Sequence, residues 1–369
     1  MENNNKYIFS ERPMLVYWEI TRSCDLACKH CRAEAQHTRN SLELQGDECY
    51  SILDQVKSFG APYPQIVLTG GDPLNHPDWE KILIRANEIG ISVAFAPSAT
   101  HNLTKEVFQR LKDLGVPALS LSLDGATSQS HDTFRGVEHC FEYTMQALGY
   151  AQEVGIPIQI NTLVSGNTLH ELEDIYNLLT NFSIMRWSVF FLISVGRGTA
   201  LKELTAEKTE EVLEWITAKA KTAPFAIKTT EAPHYRRIFI QKMKKSGDRT
   251  VKLASLPVSR GFGIRDGNGI MFISHLGDVN PSGFLNIKAG NVRQQNLVDI
   301  YRNSEVFSKI RNPENYVGKC GICEYKYICG GSRARAYAAT GNYLASDNLC
   351  SYEPAHAKEE NLAAVLQEI

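Results

Sequence analysis

Hydrophobic positions in the first two-thirds of the chain alternate between two spacings. Short runs rich in branched and aromatic residues stand at Leu15–Ile20, Gln65–Leu68, Ser92–Phe95, Ala118–Leu123, Ile156–Val164 and Trp187–Ile193. Such runs suit strands buried on both faces. Between them, helical spacing predicts helices over Leu44–Phe59, Trp79–Ile89, Lys105–Leu114, His139–Glu153, Leu169–Thr180 and Thr205–Lys221, the last opening at a Thr cap. Six strand–helix units predict an α/β fold with a parallel sheet under covering helices. Without a clear seventh and eighth unit, the expectation is a partial, TIM-like (β/α)6 barrel over residues 1–225. Chemistry should then sit at or just past the carboxyl ends of strands.

Beyond residue 225 the pattern changes. Residues 226–310 read as a bridging region. Within it Lys242–Lys252 is basic and polar and is expected to be a loop, and Gly261–Gly269 is glycine-rich. Gly269–Phe272 and Gly277–Asn280 read as a hairpin about a turn at Ser274–Leu276. Residues 311–369 read as a small third domain. Its stretch Gly318–Cys350 holds four cysteines and little apolar periodicity. A metal centre would supply the order that so small a core cannot.

Composition narrows the class. Of 369 residues, 43% are hydrophobic and 22% charged, which excludes a mainly disordered or fibrous chain. A net charge of -2 supplies no field to hold nucleic acid or anionic lipid, so neither is expected as a partner. No apolar run approaches the ~20 residues that span a bilayer. The start, MENNNKYIFSERPM, has no apolar secretory core. The expected location is the cytoplasm, where disulfides are disfavoured. Seven of the nine cysteines fall into two groups near opposite ends, which points to metal or iron–sulfur ligation. Cys49 and Cys140 lie in helical stretches and are expected to be packing residues.

Cys24, Cys28 and Cys31 form C-x3-C-x2-C directly after the first strand. Three thiolates can hold three irons of a four-iron cluster and leave the fourth open to a ligand. Structural zinc usually wants four closed ligands. His30 is too close to Cys31 for both to reach one small ion without strain.

This motif and its place after the first strand resemble the radical S-adenosylmethionine (SAM) superfamily. The resemblance implies a [4Fe-4S] cluster whose open iron chelates SAM. It also implies reductive cleavage to a 5′-deoxyadenosyl radical that abstracts hydrogen from substrate, with electrons from a flavodoxin or ferredoxin-type donor. Thr69-Gly70-Gly71-Asp72-Pro73 resembles the family's GGE-P element, which binds the methionine ammonium; Asp72 keeps the charge with shorter reach. Its two glycines would let the backbone approach the ligand closely. Ser122-Leu123-Asp124-Gly125, through His131-Asp132 and Phe134-Arg135-Gly136, is similar to the family's S-x-D-G…H-D-x-x-R-G stretch near the SAM ribose. Asn161 and Arg197 match further family positions near SAM.

Cys320, Cys323, Cys329 and Cys350 form C-x2-C-x5-C-x20-C. Four thiolates can close a second four-iron cluster or a structural zinc site. The stretch from Cys320 to Cys350 resembles the auxiliary-cluster half of a SPASM/twitch extension, which implies one auxiliary [4Fe-4S] cluster. Ser282, Ser332 and Arg333 stand where some relatives carry cysteine, so a second auxiliary cluster is not expected. The resemblance covers residues 13–355. Both cysteine regions look most like maturases of alternative haem and d1-type haem synthesis, which implies a tetrapyrrole substrate. Peptide-modifying maturases share the architecture and make a ribosomal peptide the alternative. Only about a dozen residues precede the first strand, so no leader-peptide domain is expected. A reading of another class, a non-catalytic zinc-binding scaffold, would be colourless and contain zinc. The strip over residues 226–300 is expected to line the substrate cavity, where Arg236, Arg237, Arg260 and Arg265 could pair carboxylates.

Overall fold

A computed structural model describes residues 7–246 and 261–354. Seven parallel strands run β1 Leu15–Thr21, β2 Gln65–Gly70, β3 Val93–Phe95, β4 Leu119–Ser122, β5 Ile158–Val164, β6 Arg186–Phe191 and β7 Ala226–Thr230, each hydrogen-bonded to the next. The helices that cover them are α1 Asp47–Lys57, α2 Trp79–Ile89, α3 Lys105–Asp113, α4 Ser128–Arg135, α5 Cys140–Val154, α6 Leu172–Leu179, α7 Ala206–Lys219 and α8 Tyr235–Ser246. Thr104, Thr127 and Thr205 cap α3, α4 and α7 by accepting backbone N–H groups of the first turn. This is the expected α/β fold with a partial parallel barrel.

Three details differ from expectation. The barrel does not stop at 225: β7 pairs with β6 over its whole length. The hairpin is no separate bridge, because its first strand, β8 Ile270–Ile273, pairs parallel with β1. Strands β9 Asp278–Asn280 and β10 Gly290–Asn291 then extend the same sheet antiparallel to ten strands. The basic stretch opens in helix rather than loop, since α8 runs through Ser246; the rest of it, with Arg260, lies outside the described residues. Beyond the sheet come α9 Leu297–Asn303, α10 Glu305–Arg311, α11 Lys319–Ile322 and α12 Arg333–Thr340.

Strand alternation divides the barrel into a packed side and a concave side. Val16, Trp18 and Ile20 of β1 and Trp187 and Val189 of β6 pack outward, beneath the helices, in the main core. Trp187 meets Tyr176 of α6 and Trp215 of α7 in tilted and edge-on contacts. The intervening residues, Tyr17 and Glu19 on β1 and Arg186, Ser188 and Phe190 on β6, face the concave side. Cys49 is buried in the main core, whereas Cys140 packs beside Cys24, Leu26 and Cys28. No helix among the described residues is long and apolar enough to cross a membrane.

Candidate active site

The loop after β1 carries Cys24, Cys28 and Cys31 onto the barrel mouth, and neighbouring elements hold it there. Arg197, just past β6, donates to the Cys28 carbonyl at 2.9 Å and to the Ala35 carbonyl at 3.2 Å, and its own N–H donates to the Cys31 carbonyl at 3.1 Å. One guanidinium nitrogen of Arg197 remains buried and unpaired. Arg135 donates to the Cys28 Sγ at 3.4 Å, and the Leu26 and Ala35 N–H groups donate to the Cys24 and Cys31 Sγ atoms, each at 3.4 Å. Three sulfurs that each accept an N–H fit thiolates ligating an iron–sulfur cluster, whose potential such bonds tune. Burial pushes the metal-free Cys24 thiol up to about 11, partly offset by a hydrogen bond with Ser98, so ligation has to displace a proton. His30 is half-buried and stacks on Phe134 with ring centres 5.0 Å apart; desolvation pushes its imidazole down to about 4.

The strand-end motifs surround this loop. A Cβ on Gly70 would fall 2.4 Å from the Thr21 carbonyl oxygen, and one on Gly71 would fall 2.3 Å from that of Ser23. The bare backbone at these glycines therefore admits the cysteine loop itself. Asp72 is fully buried; its Oδ1 accepts the Leu74 N–H at 3.1 Å, while Oδ2 has no partner. Burial pushes its carboxyl up to about 7 against the pull of two backbone hydrogen bonds. An orphaned carboxylate oxygen beside the Cys24–Ser98 contact fits a missing cationic ligand.

Asp124 is engaged within the protein. It accepts the Leu163 N–H at 2.6 Å and ion-pairs Arg135 at 2.5 Å, so it holds the arginine that bonds Cys28. Ser122 and Asn161 lie in register on β4 and β5 and face the concave side, with Asn161 accepting from Gln159 at 2.8 Å. In the sequence Arg135 is one position of the H-D-x-x-R-G stretch, and its role comes from this geometry. The triad of Glu19 with His275 at 2.8 Å and Arg32 at 3.0 Å went unnoticed. A charged residue inside the apolar run LVYWEIT was the available signal for it.

At the other end Cys320, Cys323, Cys329 and Cys350 line one cavity. Arg333 donates to the Cys320 Sγ at 3.5 Å, and the Tyr325 and Gly331 N–H groups donate to Cys323 and Cys329 at 3.4 Å. Four thiols around one cavity fit either a closed zinc site or an iron–sulfur cluster. Ser282 accepts the Phe284 and Leu285 N–H groups, and Ser332 caps α12 while donating to Glu231 just past β7. Arg335 reaches the Phe191 and Leu192 carbonyls at the end of β6. These bonds seat the second cysteine cavity over the barrel mouth.

Arg236, Arg237 and Arg265 are buried or half-buried and engaged within the protein. Arg236 donates to the Ile328 carbonyl, Arg237 pairs Glu210, and Arg265 bonds the Tyr316 hydroxyl.

Comparison with known proteins agrees with this geometry. The profile of the Radical SAM superfamily matches residues 18–179. An "AdoMet-dependent heme synthase" of Nitratidesulfovibrio vulgaris is 41% identical over 347 residues, covering 92% of each chain. A protein of the same description from Methanosarcina barkeri is 40% identical, covering 93% of this chain and 97% of its own. Among solved structures, Streptococcus suis SuiB bound to S-adenosylmethionine matches with a TM-score of 0.71 at 20% identity, over 93% of this chain and 78% of SuiB, which speaks for the fold. Similarity of this extent, with three cysteines at the mouth of a partial barrel, places the chain in the radical SAM superfamily, within the family of its heme synthase relatives.

Proposed function

We propose that this enzyme acts on a tetrapyrrole, removing a propionate carboxyl oxidatively in haem-type synthesis. The observation that carries this reading is identity of about 40%, over more than nine-tenths of each chain, with two proteins described as heme synthases. The family's [4Fe-4S] cluster and S-adenosylmethionine supply hydrogen-atom abstraction when bound. Loss of one hydrogen atom, one CO2 and one electron converts a propionate to a vinyl group. The hydrogen leaves on 5′-deoxyadenosine, and the electron needs an acceptor near the barrel mouth. We assign that acceptor to one auxiliary [4Fe-4S] cluster on Cys320, Cys323, Cys329 and Cys350, in a SPASM/twitch-like domain. Cys24, Cys28 and Cys31 would hold the first cluster. Gly70, Gly71 and Asp72 would flank the methionine end of SAM, and Ser122 and Asn161 the ribose. Asp124 and Arg197 would position the cluster loop. A flavodoxin or ferredoxin-type donor in the cytoplasm would supply the reducing electron.

The test is anaerobic incubation of the reduced, reconstituted enzyme with SAM and iron-coproporphyrin or didecarboxysirohaem. Decarboxylated product should form with 5′-deoxyadenosine, and iron should approach about eight per chain, the sum of two four-iron clusters. Absence of product from every tetrapyrrole would overturn the substrate reading. Zinc in the second site would overturn the auxiliary cluster.

A further inference from the structure

Lys228 and Arg186, on the concave side of the barrel, have no carboxylate partner among the described residues. Lys228 lies on β7 in register with Ser188 of β6, which pairs Asn161 of β5, which pairs Ser122 of β4. That row spans four strands at one level, directly under the Asp124 turn. The neighbouring side chains fix the orientation: Ser188 and Thr230 hydroxyls meet at 3.1 Å on the concave side, and Ile227 packs against the core. Lys228 keeps accessible surface there and has no hydrogen bond or ion pair among the described residues. Arg186, one turn of the pleat lower on β6, bonds only the neutral Gln159 amide at 3.3 Å.

Arg32, Arg135 and Arg237, by contrast, are answered by Glu19, Asp124 and Glu210, while Arg236 donates to the Ile328 carbonyl. An unanswered ammonium in such surroundings is disfavoured, and a second cation beside it adds repulsion. The cost is visible in the ammonium, which burial, with Arg186 and Arg236 nearby, pushes down to about 8. Ser122, Asn161, Ser188 and Thr230 surround the pair with neutral groups that can donate to an oxyanion without neutralising the cations beforehand.

We propose that Lys228 and Arg186 form a carboxylate-binding subsite in the barrel, which anchors a side-chain carboxylate of the substrate beneath the SAM site. This rests on the tetrapyrrole reading and adds the residues that would grip the substrate. It replaces Arg236, Arg237, Arg260 and Arg265, which the sequence had offered as carboxylate partners, with neighbouring positions on β6 and β7, of which Lys228 lies in the strip over residues 226–300 and Arg186 outside it.

The test is an absorbance titration of reconstituted enzyme with iron-coproporphyrin and with its tetraamide, in which every carboxylate is neutral. Wild type should bind the acid at least tenfold more tightly than the amide. Lys228→Met and Arg186→Gln should each weaken acid binding tenfold or more and leave amide binding unchanged, and Lys228→Arg should restore most of the loss. Iron content and circular dichroism report whether each variant folds. Equal affinity for acid and amide in wild type, acid binding unaffected by both substitutions, or equal loss for acid and amide would each overturn the subsite. If wild type binds no porphyrin in either form, the tetrapyrrole reading itself falls, and the subsite falls with it.

Discussion

Asp72→Asn separates what this carboxylate does for the fold from what it does for a ligand. Its Oδ1 caps the short helical turn at Leu74, and an asparagine oxygen accepts the same N–H. What the substitution removes is charge on the orphaned Oδ2. In the ligand-free protein that charge is unfavourable, because burial raises the carboxyl from 3.8 to about 7. A carboxyl raised in the folded state stays protonated while the unfolded chain ionises. Its contribution is therefore fully present below pH ~4 and is lost as pH rises to about 7. At about 1.36 kcal/mol per pH unit the loss reaches roughly 4 kcal/mol at neutral pH. Allowing for the buried amide that replaces it, Asp72→Asn should gain about 2 kcal/mol of stability at pH 8 and little at pH 4. Most buried substitutions destabilise, so a gain confined to high pH is diagnostic.

Ligand binding should move the other way. A carboxylate–ammonium hydrogen bond contributes about 1.5–3 kcal/mol, so the variant should bind SAM roughly 10- to 150-fold more weakly. Because the ionised form binds, wild-type affinity should rise as pH passes upward through about 7 and then level off, and the variant should show no such step. Isothermal titration of the reconstituted enzyme gives the affinities, and denaturant unfolding of the ligand-free protein at both pH values gives the stabilities. Unchanged SAM affinity in a variant with full iron content would refute the assignment of Oδ2 to the ligand. A stability gain as large at pH 4 as at pH 8 would refute the electrostatic account.

Legibility of the fold followed the polarity of each element. Trp79–Ile89 reads as a helix and is one, residue for residue, because its apolar positions recur on one buried face. The strand β7, AIKTT, escaped notice because it offers the core only Ile227 while Lys228 and Thr230 face the barrel interior. The end of helix α8, from Lys242, read as loop because it is basic and polar, though the helix continues through Ser246. The same physics hid part of the site. Metal-ligating cysteines announce themselves by spacing, since three thiolates on one loop have few other uses. Partnerships across the fold do not: Glu19 and His275 meet from 256 residues apart. The glycines of GGDP were visible, but their neighbour, the Thr21–Ser23 backbone, was set by strand pairing between β1 and β2.

Two further perturbations probe the cysteine cradles. Gly331 sits at φ +65°, and a Cβ there would fall 2.5 Å from the Arg333 guanidinium and 3.2 Å from the Cys320 Sγ. Gly331→Ala should therefore lower iron from about eight toward about four per chain while leaving the first cluster's response to SAM intact; undiminished iron would contradict the cradle. Arg135→Gln tests the link from Asp124 to Cys28. Removing the guanidinium leaves the Asp124 charge buried without its partner at 2.5 Å, a loss of about 3–5 kcal/mol by denaturant unfolding. It also removes a positive charge and a hydrogen bond 3.4 Å from the Cys28 sulfur, so the first cluster should become harder to reduce. The double variant Asp124→Asn with Arg135→Gln removes both charges and should recover most of the stability, since the uncompensated carboxylate is gone. It should not recover the potential, because the sulfur still lacks its cationic donor. Redox titration of the three proteins decides the point: a double variant with the wild-type potential would show that Arg135 serves only to neutralise Asp124.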